Sequence, residues 1–321
     1  MKIVIPGGTG QVGMMLARAF GKDGHEVVVL SRNPRARAPC RVVPWDARSL
    51  ENWTVELEGA EAVINLAGRS VNCRYTPANR QAIMGSRVDS TRAIGQAIRQ
   101  TARPPRVWLQ ASTATIYAHR YDAANDEMTG IRGGAEPSVT ETWRFSIDVA
   151  TAWEQAVDEV GNLPHTRKVL LRSAMTMSPD SGGVFDTLLA LVRCGLGGRS
   201  GDGRQYVSWI HETDFIRAIY WLIDHAALDG PINVAAPCPM PNVDFMRALR
   251  ESWGIRFGLP ASEWMLELGA VFLRTETELI LKSRRVVPGR LMQHGFKFEF
   301  PEWPQAARDL CERWRKSNKT S

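Results

Sequence analysis

The chain has 321 residues, 44% of them hydrophobic, and a formal net charge of +6. This suits one large α/β domain with an appendage, or two domains, with ample apolar residues for a core. The positive charges are dispersed with no aromatic-basic module, which argues against a nucleic-acid partner. The five cysteines (Cys40, Cys73, Cys194, Cys238, Cys311) lie far apart without a CxxC pair, which argues against a disulfide framework or a metal site.

Ile3, Val4 and Ile5 read as a short buried strand, followed at once by Gly7, Gly8, Gly10 and Gly13 and by a helix-forming run over residues 14–20. Strand, glycine turn and helix in that order suit a dinucleotide pyrophosphate. Gly7 permits the tight turn, Gly10 lets the phosphates approach the backbone, and Gly13 lets the helix pack close to the strand. The N–H groups at the helix start face the anion. A second strand over residues 25–30 ends in Ser31-Arg32, with Arg35 and Arg37 nearby and no carboxylate. A carboxylate there would bind the adenosine ribose 2′-hydroxyl, whereas a basic residue accepts a 2′-phosphate, so NADP(H) is expected over NAD.

Residues 41–44 read as a third strand. Asp46, just after it, either accepts a hydrogen bond from adenine or caps the next turn. A fourth strand over residues 62–66 ends in Asn65-Leu66-Ala67-Gly68, small enough to let a cofactor pass close by. Residues 79–99 carry apolar side chains at helical spacing, and Arg87 on that helix either reaches the cofactor or is solvated. The fifth strand, over residues 106–111, runs into Ser112-Thr113-Ala114-Thr115-Ile116-Tyr117. Hydroxyls thus crowd the carboxyl end of a central strand, where open α/β sheets bind ligands. Residues 118–142 read as a long polar loop over the site, with Asp122, Asp126 and Glu127 solvated.

Further on, helices read over residues 145–160, 185–194 and 215–224, with strands over 169–172 and 231–235. His211 is either an acid–base group or, as preferred here, part of a structural turn beside Asp214. Arg74, Arg80 and Arg204 are candidates to bind an anionic substrate, each being equally a surface residue. After about residue 240 the character changes, with helical runs over 243–253 and 265–281. This segment is expected to close over the nucleotide domain and shape the substrate cleft, although the second run suits a dimer face equally. No signal peptide is expected, and no apolar run reaches the ~18 residues needed to span a membrane. The expected protein is cytoplasmic, without membrane or nucleic-acid partners, and a monomer or homodimer.

These motifs together resemble the short-chain dehydrogenase/reductase superfamily in its extended or atypical branch. More narrowly, the chain is similar to an NAD(P)-dependent epimerase-like subfamily with a small C-terminal domain of unknown function. The resemblance rests on Gly7-Gly8-Thr9-Gly10, Ser31-Arg32, Trp45-Asp46, Asn65-Leu66-Ala67-Gly68, Gly85-Ser86-Arg87, Gly195-Leu196-Gly197-Gly198, Ser208-Trp209-Ile210-His211 and Arg285-Val286-Val287-Pro288. It implies an α/β fold, a Rossmann-like doubly wound parallel sheet over residues 1–240, with a small, mostly helical substrate-side region over 241–321. It implies NADP(H) contacts from Gly7, Gly8, Thr9, Gly10, Gln11, Val12 and Gly13, and from Ser31, Arg32, Leu66, Ala67, Gly68, Arg87, Ser112 and Met175, with Asp46 near the adenine. Thr113 stands where the superfamily has its catalytic Ser or Thr.

The superfamily's chemistry uses a Tyr and, four residues later on the same helix face, a Lys that lowers the Tyr pKa. No Tyr-x-x-x-Lys occurs here. Judged from Trp153-Glu154, the corresponding positions fall near Ser146 and Ala150. Tyr117 and Tyr121 are candidate substitutes, Tyr117 being equally a packing residue at the strand end. Two functions follow: an NADP(H)-dependent oxidoreductase or epimerase on a small carbonyl or hydroxyl substrate, with Thr113 and Tyr117 as catalytic candidates, or a non-catalytic NADP(H)-binding sensor or scaffold.

Overall fold

The computed structural model describes residues 1–33, 38–137, 139–262 and 278–319. The strands, in chain order, are β1 (Lys2–Pro6), β2 (Glu26–Ser31), β3 (Arg41–Pro44), β4 (Ala62–Asn65), β5 (Val107–Thr113), β6 (Arg167–Ser173), β7 (Met175–Met177), β8 (Tyr206–Val207), β9 (Trp209–His211), β10 (Gly230–Val234) and β11 (Met240–Pro241). The α-helices are α1 (Gln11–Lys22), α2 (Pro77–Gln100), α3 (Glu141–Glu159), α4 (Val184–Arg193), α5 (Glu212–Asp224), α6 (Asn242–Trp253), α7 (Glu278–Leu281), α8 (Gly289–Gln293) and α9 (Trp303–Lys319).

Seven strands form one parallel sheet in the order β10-β6-β5-β4-β1-β2-β3. Every residue of β1 after Lys2 is buried, as a parallel strand covered on both faces requires. Side chains alternate between the faces. Ile3 and Ile5 pack with Leu16 and Phe20 of α1 and Phe215 and Ile219 of α5. Val4, Val63 and Trp108 pack on the other side with Ile94 and Ile98 of α2 and Val157 of α3. From β1 the chain winds outward through β2 and β3, then returns to β4 on the other side. The crevice beyond the carboxyl ends of β1 and β4 is therefore the topological switch point.

Helix starts account for the main differences from the sequence reading. The long helix begins at Pro77 because the Thr76 hydroxyl accepts a hydrogen bond from Asn79 N and Pro77 suits the first turn. Likewise Thr140 caps α3, accepting from Trp143 N, so α3 starts four residues before 145. Strand β5 runs on through Ser112 and Thr113. The short pairs β8–β11 and β7–β9 are too brief to show a periodicity. Of the helical run over 265–281, residues 265–277 lie outside the described residues. Among the described residues no helix is long and apolar enough to cross a membrane.

A third core packs the last part of the chain against α4, β9 and α6: Phe185, Leu189, Trp209, Phe245 and Trp303 are buried together, Trp303 stacking on Phe245 at 4.0 Å. His211 and Asp214 fasten this segment. Asp214 accepts from Glu299 N and Phe300 N, both at 2.8 Å. His211 Nδ1 accepts from Thr213 N at 3.1 Å and caps α5, its Nε2 lies 3.0 Å from Asp309 Oδ2, and its ring stacks on Phe300. The preferred structural reading of His211 matches this arrangement.

Burial, outweighing Asp309, lowers the His211 pKa to about 4. An unfolded histidine titrates near 6.5, above the folded value. The stability this neutral side chain contributes is therefore complete above about pH 6.5 and is lost as pH falls toward 4, by about 3 kcal/mol in all. Urea unfolding between pH 7 and 4.5 should show this decline, and His211→Asn, which keeps a capping side chain, should flatten it. Equal slopes in the two proteins would show that His211 is not its source.

Candidate nucleotide and substrate site

The glycine turn is built as a cradle. Gly7 adopts φ +74°, and a Cβ there would lie 2.6 Å from Ala67 Cα. A Cβ on Gly13 would lie 2.4 Å from Gly8 Cα, so Gly13 lets α1 pack against the turn itself rather than against the strand. At Gly10 the nearest atom is Gly7 O at 3.7 Å, which leaves an open face. The first turn of α1 has neither a side-chain cap nor an acidic residue, so its N–H groups, including those of Gln11, Val12 and Gly13, are available to an anion. Backbone bonds from Gly7 N to Leu30 O and from Leu66 N to Pro6 O, both 2.9 Å, hold the ends of β1, β2 and β4 together.

Around the cradle, Ser31 Oγ lies 3.2 Å from Thr9 Oγ1 and accepts from Asn33 N. Arg32 is exposed beside it; Arg35 and Arg37 lie outside the described residues. Asp46 caps its own turn, accepting from Arg48 N, Ser49 N and Ser49 Oγ. The Ser49 bond leads in holding its pKa below the usual carboxylate value. Ala67 N donates to Asn65 Oδ1 at 3.1 Å. Arg87 lies beneath Gly68, where a Cβ would stand 3.3 Å from its Cζ. It donates to Ile83 O and Arg69 O, covers the Trp153 ring at 4.8 Å, and has no carboxylate partner among the described residues. Burial lowers its pKa to about 10, which leaves it charged. A half-buried guanidinium with no carboxylate partner among the described residues, together with free helix N–H groups and a cradle that a methyl group would fill, fits a phosphate-bearing nucleotide. Gln11 Nε2 reaches Asp180 O at 3.4 Å, and Arg18 pairs with Asp180, so the segment after β7, which carries Met175, flanks the turn.

The hydroxyls at the end of β5 divide into two groups. Ser112 Oγ donates to Glu154 Oε1 at 2.7 Å. Glu154 is gripped by Arg172 in a bidentate pair of 2.8 and 2.7 Å, and Arg172 Nη1 donates to Tyr117 Oη at 2.9 Å. Tyr117 in turn donates to Asn233 Oδ1 at 2.9 Å. All five side chains are buried. Burial alone would lower the Arg172 pKa, but the bonds and charge of Glu154 raise it; burial raises that of Tyr117. Thr113 is half-exposed, and its Oγ1 accepts from Thr115 N at 3.2 Å, leaving its own proton to point elsewhere.

The long loop after β5 is tied to the carboxyl-terminal segment. Asn125 is fully buried and bonds across to Arg285 O and Val287 N at 2.7 and 3.0 Å. Glu127, read as solvated, instead accepts from Asn233 N and Arg290 N at 2.8 and 3.2 Å, and burial raises its pKa. Asp126 binds the turn N–H groups of Met128 and Thr129, while Asp122 is exposed and pairs with Arg120. Lys282 Nζ reaches Thr115 O at 2.7 Å and Arg284 Nε reaches Thr115 Oγ1 at 3.1 Å. Of the candidate anion-binding arginines, Arg80 pairs with Glu141, Arg74 is exposed, and Arg204 lies over the Tyr121 ring at 5.7 Å. The Glu154–Arg172 pair, Asn233 and Lys282 had no motif to announce them, since each meets its partners only through the fold.

A parallel sheet reversing between β1 and β4, a glycine cradle at that point and a hydroxyl-lined β5 end define a dinucleotide-binding fold of the short-chain dehydrogenase/reductase type. The chain belongs to the NAD dependent epimerase/dehydratase family, which it matches over residues 3–235. Residues 261–310 match DUF1731, a domain of unknown function. Epimerase family protein SDR39U1 of Homo sapiens is 28% identical over 313 residues, 97% of this chain and 99% of that protein. The crystal structure of the human protein (isoform2) with NADPH has a TM-score of 0.83, covering 97% of this chain and 99% of that one. A nucleoside-diphosphate sugar epimerase from Corynebacterium glutamicum is 26% identical with a TM-score of 0.73, covering 97% of this chain and 58% of that one.

Proposed function

We propose that the chain binds NADP(H) at the glycine cradle and acts as an oxidoreductase or epimerase on a small carbonyl or hydroxyl substrate. The observation that carries this reading is the cradle joined to a β2 end that offers Ser31 and Arg32 and no carboxylate; the NADPH of the human relative supports it. The turn from Gly7 through Thr9 to Gly13 would hold the pyrophosphate, and Ser31 and Arg32 the 2′-phosphate. Asp46 would border the adenine. Leu66, Ala67, Gly68, Arg87, Ser112 and Met175 would line the rest of the groove. The bound cofactor supplies or accepts hydride. Thr113 donates its free proton as a hydrogen bond to the substrate oxygen, while Tyr117, engaged at both sides of its hydroxyl, holds the strand end in place.

A second reading, a non-catalytic NADP(H)-binding protein, is favoured by one observation. Ala150 of α3, near which the wider superfamily has its Lys, is fully buried in a cluster with Tyr117 and Val286. One experiment separates the two. Protein loaded with NADPH is presented with aldehydes, ketones and sugar nucleotides, and loss of nicotinamide absorbance is followed. The enzyme reading expects turnover that falls at least ~100-fold in Thr113→Ala, a typical scale for losing a positioned polar group. Tight NADPH binding without turnover across the panel supports the second reading. In the same preparations Arg32→Ala should weaken NADPH by about tenfold more than NADH, as loss of a charge-assisted bond predicts; equal weakening would refute the 2′-phosphate assignment.

A further inference from the structure

The strand end leaves one oriented donor unassigned. His119 follows Tyr117 by two residues, and its main-chain N–H is fixed by Glu136 Oε1 at 2.8 Å. Its Nδ1 accepts from Ser283 N at 2.8 Å, which places the ring hydrogen on Nε2. Nε2 has no hydrogen-bond partner among the described residues, unlike the hydroxyls of Ser112 and Tyr117. The ring neighbours two aromatic rings, Trp143 at 4.7 Å in a tilted contact and Tyr121 at 5.1 Å in a T-shaped one. Trp143 is in the first turn of α3, one helical turn before Ser146. Arg204 lies over the Tyr121 ring and has no carboxylate partner among the described residues. Burial, and then the charge of Lys282, keep His119 below its ordinary pKa, so the ring is a neutral donor at pH 7.

We propose that His119 binds the substrate: its Nε2–H donates a hydrogen bond to the reacting oxygen of a carbonyl or hydroxyl compound that lies against Trp143 and Tyr121 and turns an anionic group toward Arg204. The inference rests on the substrate reading above and adds the class of substrate, a carbonyl compound with a carboxylate or phosphate. The contact is a hydrogen bond and requires no proton transfer to or from the ring. A neutral imidazole held in one tautomer by a backbone N–H polarises an oxygen without titrating itself.

Binding tests this without turnover. Protein loaded with NADP⁺ is titrated calorimetrically with 4-carboxybenzaldehyde, glyoxylate and 2-oxoglutarate, and with benzaldehyde as the uncharged control. At least one carboxylate should bind more tightly than the control. His119→Phe, which keeps the aromatic contact with Trp143, should weaken that binding about tenfold. His119→Gln, which keeps an acceptor for Ser283 N and a donor beyond it, should stay within about threefold of the parent. NADPH affinity should be unchanged in both, and Arg204→Ala should remove the preference for the carboxylate. Binding that is indifferent to His119→Phe, or absent for all three carboxylates in protein that holds NADP⁺, overturns the inference. Binding that depends on His119 in a protein that never consumes NADPH supports the inference while refuting the catalytic reading.

Discussion

Gly13→Ala should cost the protein at least ~100-fold in NADPH affinity, equivalent to about 3 kcal/mol. The reason lies in what the new methyl group would meet. Its carbon would stand 2.4 Å from Gly8 Cα and 2.6 Å from Gly8 O, and neither is the yielding end of a side chain. Either α1 moves away from the turn or the turn opens, and overpacking of this kind alone costs about 1–3 kcal/mol. Both movements shift the N–H groups at the start of α1 away from the anion. Gly10→Ala provides the contrast. Its methyl group would find only Gly7 O, at 3.7 Å, so the fold should be unchanged while the open face of the turn is blocked. Titration of NADPH fluorescence, alongside thermal unfolding of each variant, reads the two effects apart. Gly13→Ala with parental affinity would show that the cradle is not the pyrophosphate site.

Glu154→Leu should destabilise the protein by about 3–5 kcal/mol, the range for removing one partner of a buried ion pair. Glu154 and Arg172 have side chains only 3% and 5% exposed, so the lone guanidinium could not reach water to recover its solvation. Tyr117 would remain as its acceptor, and Arg132, 3.6 Å from Glu154 Oε2, would lose its partner as well. Glu154→Gln should cost less, because the amide oxygen still accepts one bond. Replacing both partners, as Glu154→Leu with Arg172→Met, should recover much of the loss, since an apolar pair removes the desolvation penalty along with the attraction. Urea midpoints at pH 7 provide the measurement. A Glu154→Leu loss below about 1 kcal/mol, the level of an exposed pair, would mean that water reaches Arg172.

The glycine cradle is legible in the sequence because its parts are local. Strand, turn and helix occupy residues 2–22 without interruption, and a glycine at φ +74° carries its own signal. The central sheet was legible for a similar reason: fully buried parallel strands are continuous apolar runs. The surroundings of the β5 end were not. Glu154 lies on a helix and Arg172 on a strand, and nothing local to either announces that they meet beneath Ser112. Glu127 reads as a solvated loop residue because its neighbours are polar, yet its partners, Asn233 and Arg290, come from elements more than a hundred residues away. The start of α3 was missed for a different reason, since Thr140 is one threonine in a polar stretch and becomes a cap only when the chain turns there.

The bond between Asn125 and Arg285 spans 160 residues of sequence. At ~5–20 residues per second a ribosome takes ~8–30 s to add that length of chain. During that interval the loop after β5 is already made while the segment that bonds Asn125 does not yet exist. The nucleotide cradle can therefore assemble early in synthesis, while the wall containing Lys282 and Arg284 is completed last. The order of synthesis thus separates the glycine turn from the last contacts around the β5 end.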